Sequence, residues 1–260
     1  MLSKLKINSI PFRILSFLYV IYNNSSFATI GKNAGFFCDD ESIKKPYHGD
    51  SVHVVYLFSV LLCLFPIFIY ASERLYKKEI AQYAVHSPKF HCKLMINYYY
   101  SGFLHILAVI EVFKVFVTEL RPHFYYTCLP DMKNIDCSKG LITEFNCTGD
   151  GESWLIDRDI YKSFPSGHAA LSSYGFIFIS VYLYSIKKGS FSSCLNIWWS
   201  RVIPVLGFIW AVICCISRVI DNRHFWWDVL SGVCIGLVGG LTTVYLALAK
   251  TTYKSASSNN

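Results

Sequence analysis

The sequence predicts an all-α, polytopic integral membrane protein with six transmembrane helices in a single membrane-embedded domain, residues 1–260. Three observations predict it. Mean hydropathy is positive, +0.38, and 53% of the residues are hydrophobic, a composition too apolar for soluble domains of this length. Six apolar runs each approach the ~20 residues that a helix needs to cross a bilayer. Lysine and arginine gather in alternate connections between those runs, as the positive-inside rule requires of a chain that crosses a membrane repeatedly.

The first run, Ile10 to Ile30, is interrupted by Pro11, Arg13 and Asn23-Asn24-Ser25-Ser26. Lys4, Lys6 and Arg13 give it the look of a signal peptide, but no small-residue cleavage site follows, so it reads as a helix. The others run from Val52 to Ala71, Tyr98 to Leu120, His168 to Ile186, Val202 to Val219 and Trp227 to Ala249. The basic connections hold Arg74, Lys77, Lys78, Lys89 and Lys93 after the second run, and Lys187, Lys188 and Arg201 after the fourth. With Lys250 and Lys254 at the end, they place both termini in the cytoplasm. The net charge of +7 is then a topology signal helped by anionic lipid, and no folded basic domain favours nucleic acid.

Three connections, about 31–51, 121–167 and 218–226, fall on the opposite face. The second carries Asn146-Cys147-Thr148, an N-glycosylation acceptor that has meaning only outside the cytoplasm. Cys38, Cys128, Cys137 and Cys147 share that face, where disulfides persist; four cysteines allow three pairings. Cys63, Cys214, Cys215 and Cys234 read as small packing residues. Residues Gly35 to Tyr47 read as an ordered connection near the headgroups. Tyr98 to Tyr100, Trp198-Trp199 and Trp226-Trp227 read as interfacial anchors, Gly232, Gly236, Gly239 and Gly240 as close-packing positions, and Ser255 to Asn260 as a disordered tail.

Chemistry concentrates at the outer ends of the spans. Between the last two lies Ser217-Arg218-Val219-Ile220-Asp221-Asn222-Arg223-His224-Phe225-Trp226-Trp227-Asp228, and ionisable groups beside hydrocarbon are functional candidates because desolvating them is costly. Asp228 follows His224 by one helical turn, so it can hold one imidazole nitrogen and leave the other free to attack. Lys114 and Arg121 are seven positions apart, two turns along one helical face, and Pro122 marks the exit from that helix. Ser163-Phe164-Pro165-Ser166-Gly167-His168 opens the fourth span, where free N–H groups at Ser166 and Gly167 and the helix dipole suit a phosphate. His168 stands at the same rim as a proton donor. Three cations, helix-end donors, two histidines and an orienting carboxylate make a phosphoryl-transfer site that needs no divalent ion for charge.

The pattern Lys-x6-Arg-Pro, Pro-Ser-Gly-His, Ser-Arg-x5-His-x3-Asp is complete here and resembles the type 2 phosphatidic acid phosphatase superfamily. Gly35-Phe36-Phe37-Cys38, Ser42-Ile43, Pro46-Tyr47 and Arg121-Pro122-His123-Phe124 are similar to the six-span lipid phosphate phosphatases within it. The resemblance implies that His224 is the nucleophile of a phosphohistidine intermediate, that Asp228 sets its tautomer and that His168 is the general acid. It implies that Lys114, Arg121, Ser166, Gly167 and Arg218 bind phosphate, with no cofactor and no metal.

The expected substrates are lipid phosphomonoesters: phosphatidate, lysophosphatidate, sphingosine 1-phosphate and ceramide 1-phosphate. The expected site faces outward or lumenally, in the plasma membrane or alternatively the endoplasmic reticulum or Golgi. The expected partners are these lipids and the bilayer, not nucleic acid; a homo-oligomer is left open. Rival readings are a sugar-phosphate or polyprenyl-pyrophosphate phosphatase, a catalytically silent membrane scaffold, and an anion transporter, although no inverted repeat is evident and a transporter gives the His-Asp pair no purpose.

Overall fold

The computed structural model describes residues 34–83, 88–149, 156, 159–187 and 194–252. The expected first span and the tail from Ser255 lie outside them. Among the described residues five helices are long and apolar enough to cross a membrane: α1 (Val54–Leu75), α3 (Pro88–Phe116), α5 (Gly167–Lys187), α6 (Cys194–Ile220) and α7 (Trp226–Thr252). Two short helices, α2 (Lys77–Tyr83) and α4 (Phe124–Cys128), lie in connections. The protein is an all-α integral membrane protein.

Local sequence explains the irregular points. Pro66 has no N–H to offer the carbonyl of Leu62, four residues back, and α1 widens into a π-turn over Val60–Leu64. The hydroxyls of Tyr99 and Tyr100 donate to the carbonyls of Leu61 and Leu62 at 2.9 and 2.8 Å. These tyrosines therefore stitch α3 to α1 at depth, and Tyr99 is fully buried. Its expected place in an aromatic belt is corrected, because α3 begins at Pro88, ten residues earlier than Tyr98.

The exit of α3 also differs from expectation. The helix stops at Phe116, short of Leu120, because the next backbone groups find partners in the segment 160–163. Glu119 bridges Lys162, Arg121 N donates to Ile160 O at 2.9 Å, and Ser163 N donates to Glu119 O at 3.0 Å. Lys114 and Arg121 are therefore not on one helical face; Lys114 lies in the last turn of the helix and Arg121 follows in an extended segment.

Helix α5 is the centre of the bundle, packed by α7, α6 and α3. A methyl group at Gly232 or Gly236 would collide with the carbonyl oxygen of Ser166 or Ala170, so these glycines let α7 lie directly on the α5 backbone. On α6, Val205, Phe208, Ile209, Ile213 and Ile216 are exposed, the apolar face that a helix turns toward lipid. At the end of the bundle remote from the motif blocks, Glu73 is buried and its Oε1 accepts from His91 Nδ1 and Tyr182 Oη, both at 2.6 Å. That cluster ties α1, α3 and α5 together.

A cap closes the other end. Phe36, Ile43, Phe124, Ile142 and Ile160 form its small core, bolted by disulfides Cys38–Cys137 and Cys128–Cys147. Cys63, Cys214, Cys215 and Cys234 are free.

Candidate active site

The turn between α6 and α7 is shaped by Asn222, whose φ of 53° is a left-handed conformation that asparagine tolerates better than most residues. It lets Arg223 N and His224 N both donate to the carbonyl of Arg218, at 3.0 and 3.1 Å, a helix-closing arrangement. The chain doubles back, and Arg218, Arg223 and His224, all buried, project to one place. Asn222 and Arg223 carry no diagnostic signal in sequence; in the fold they build the site.

A cavity of about 610 Å³ lies there, lined on its polar side by Lys114, Arg121, His168, Arg218 and His224 and deeper by Leu57, Phe58, Leu107, Ile110 and Leu171. Four cations gather at its polar end, and aspartates hold them. Asp159 accepts from Arg121 Nη2 at 2.9 Å and pairs with Arg223 Nη1 at 3.0 Å. Asp50 pairs with Arg218 Nη1 at 2.8 Å and Arg223 Nε at 3.1 Å. Asp221 pairs with Arg218 Nη2 at 2.9 Å and takes two bonds from Ser51. Lys114 Nζ stands 3.5 Å from Glu111 and close to Gly167.

His224 Nε2 lies 3.3 Å from Arg121 Nη1, and its Nδ1 lies 3.5 Å from Asp228 Oδ2. Burial, reinforced by Arg121 and Lys114, holds its imidazole well below the ordinary histidine range, so the ring is neutral and keeps a lone pair. Burial also lowers Arg121, to about 10, which leaves it charged at neutral pH. For Asp159 burial opposes ionisation, but Arg121 and Arg223 outweigh it and hold the carboxyl below its usual range. His123 beneath Tyr47 is pushed down to about 3 by burial and by the same two arginines.

Asp228 is fully buried. Its Oδ2 accepts from Ser163 Oγ at 2.5 Å and from Phe225 N at 2.9 Å, so it caps α7 while facing His224. Ser166 departs from expectation: its backbone N–H donates to Asp228 O at 3.1 Å and is not available to an anion, whereas its hydroxyl is buried without a partner. At the start of α5 the N–H groups of Gly167 and His168 have no intrahelical acceptor. His168 Nε2 contacts Val52 O at 3.1 Å, a carbonyl that also accepts from Arg218 Nη2 at 3.1 Å. Asn146 is exposed on the cap and is not among the residues that line the cavity.

Asp50 and Asp159 escaped sequence reasoning, while Tyr47, His123 and Arg223 stand within the quoted stretches without an assigned role. Arg223 adjoins the histidine and was legible as a charge at the membrane edge. Asp50 and Asp159 lie in connections whose partners are more than a hundred and about forty positions away, and nothing local marks them.

Residues 94–252 match the PAP2 superfamily. Phospholipid phosphatase 1 of Rattus norvegicus is 31% identical over 238 residues, covering 86% of this chain and 78% of that protein. Its Mus musculus counterpart is 31% identical over 215 residues, covering 78% and 70%. Phospholipid phosphatase 2 of Homo sapiens is 26% identical over 259 residues, covering 94% and 80%. No solved structure matches. Because the superfamily match runs over more than half of the chain and takes in all three motif blocks, this chain belongs to the PAP2 superfamily, as a member of its lipid phosphate phosphatases.

Proposed function

We infer that this protein hydrolyses lipid phosphomonoesters, such as phosphatidate, lysophosphatidate, sphingosine 1-phosphate or ceramide 1-phosphate, through a phosphohistidine and without a metal. One observation carries the reading: a single cavity joins a cationic end, containing His224 and Arg121, to an apolar wall within the spans. A phosphate headgroup fits the first part and the lipid stem the second.

In the proposed reaction His224 Nε2 attacks phosphorus as the ester P–O bond breaks. Arg121, Arg218, Lys114 and the N–H of Gly167 take the charge on the non-bridging oxygens, and Ser166 contributes its hydroxyl. The departing alkoxide takes a proton from the imidazolium of His168, which can keep its other N–H on Val52. Water then attacks phosphorus, gives a proton to His168, and releases phosphate from His224. Asp50 and Asp159 are the counter-ions that an entering phosphate displaces or rearranges.

The site is proposed to face the outer or lumenal side, with both termini cytoplasmic and the plasma membrane as the expected location. The Lys and Arg bias, the sequon at Asn146 and two disulfides in the cap support this, since disulfides persist in oxidising compartments. The test is phosphate release from a panel of lipid phosphates in mixed micelles, with EDTA and after magnesium is restored. Hydrolysis of lipid esters that survives chelation supports the reading. Activity confined to water-soluble sugar phosphates, or dependent on magnesium, overturns it.

A further inference from the structure

Glu119 has no assigned part in the reaction above, and it is not among the residues that the motif blocks single out. The structure puts it behind the nucleophile's carboxylate. Its Oε1 accepts from Trp227 Nε1 at 2.8 Å, and its carboxyl is within hydrogen-bonding reach of Asp228. Its backbone carbonyl accepts from Ser163 N at 3.0 Å, while the Ser163 hydroxyl donates to Asp228 Oδ2. Glu119, Ser163, Asp228 and His224 thus form one connected group.

Asp228 Oδ1 is buried and has no donor, which is costly for a carboxylate. Two carboxyls facing each other are both acceptors unless one carries a proton, and such pairs share one. Asp228 already receives two hydrogen bonds on Oδ2, which favour its ionised form, whereas Glu119 receives one from an indole. The shared proton therefore belongs to Glu119.

We propose that Glu119 is a positioning residue of the His224–Asp228 pair: its protonated carboxyl donates to Asp228 Oδ1 and fixes the carboxylate for His224 Nδ1. The inference rests on the phosphohistidine reading of His224. Burial, and then Asp228, raise the Glu119 carboxyl to about 7, so the donor is present at and below neutral pH and is lost above it. The charged groups on the surrounding segments are Lys162 and Asp159 on the segment that bridges Glu119, Lys114 and Arg121 on its own segment, and His224 and Asp228 before and within α7. Ionised Glu119 would set a second negative charge against Asp228 and let the carboxylate turn.

The test compares wild type, Glu119→Ala and Glu119→Gln. In wild type the rate should fall as pH rises through about 7. Glu119→Ala should slow phosphorylation of His224 by roughly ten- to hundredfold, the usual worth of a hydrogen bond to a charged group. Glu119→Gln, whose amide can donate to Asp228 at every pH, should recover most of that loss and reduce the alkaline fall to the part that His168 contributes in all three proteins. Substrate phosphate also titrates, but equally for all three proteins. Infrared difference spectra of purified protein supply a readout independent of turnover: a protonated-carboxyl carbonyl band that titrates near neutrality in wild type and is missing from Glu119→Gln. The same alkaline limb and the same band in Glu119→Gln as in wild type overturn the proposal. A wild type inactive on every phosphomonoester would instead sink the phosphatase reading, with the carboxyl band still deciding where the proton sits.

Discussion

Arg121 Nη1 stands 3.3 Å from His224 Nε2, so a fixed cation sits beside the ring nitrogen that faces the cavity. The guanidinium is itself held by the carbonyls of Asp159 and Arg223, at 2.8 and 2.7 Å, and by the Asp159 carboxylate. In the proposed reaction this guanidinium is already in place when phosphate reaches His224, the preorganisation that favours phosphoryl transfer.

His224→Ala should form no covalent phosphoenzyme from any substrate, because no other group takes the place of Nε2. Asp228→Asn should still reach the membrane but be phosphorylated more slowly, through loss of the tautomer that Nδ1 requires. Acid-quenched labelling measures both; label on the His224→Ala protein would overturn the nucleophile assignment.

His168→Ala should lose about 10² to 10⁴-fold on an alkyl lipid phosphate, the usual range of general acid catalysis. The loss should shrink on a nitrophenyl ester, whose leaving group needs no proton. Rates measured across a series of leaving-group acidities check this, and a loss equal for all of them rejects the acid role.

Asp159→Asn tests the electrostatic frame. The folded-state carboxyl is held below its usual value by Arg121 and Arg223, so its ionisation contributes stability in full above the unfolded value of about 3.9. That contribution is lost as pH falls through the lower folded value. Wild type should exceed Asp159→Asn in thermal stability near neutral pH, with the difference closing in acid. A pH-independent difference would show that packing, not charge, is lost.

Glycosidase treatment should increase the mobility of wild type expressed in a secretory-competent cell and leave Asn146→Gln unchanged, since Asn146 is exposed on the cap. Identical migration of both before and after treatment would remove the sequon from the argument for orientation.

Gly236→Val should destabilise the bundle by about 1–3 kcal/mol or more, because the added carbons meet the Ala170 carbonyl of α5 and neither backbone can retreat. Gly207→Val is the control: a Cβ there has ordinary contacts with Phe176 and Ile179. Detergent-solubilised melting temperatures compare the two, and equal losses would argue against a specific α5–α7 contact.

The sequence by itself determined the membrane class, the five spans found among the described residues and the three blocks carrying Lys114, Arg121, His168, Arg218, His224 and Asp228. Hydropathy over twenty residues and short motif spacings are local properties, readable without a fold. Only the tertiary structure decided the pairing of Cys38 with Cys137 and of Cys128 with Cys147, the early end of α3 and the burial of Tyr99. Only it showed that Ser166 N–H is bonded to Asp228 O, that Asp50, Asp159 and Arg223 line the cavity with the histidine, and that Glu119 stands behind Asp228. Each of these depends on which distant backbone or side-chain group supplies a missing hydrogen bond or opposite charge, and that partner is set only by how the cap packs on the ends of the helices.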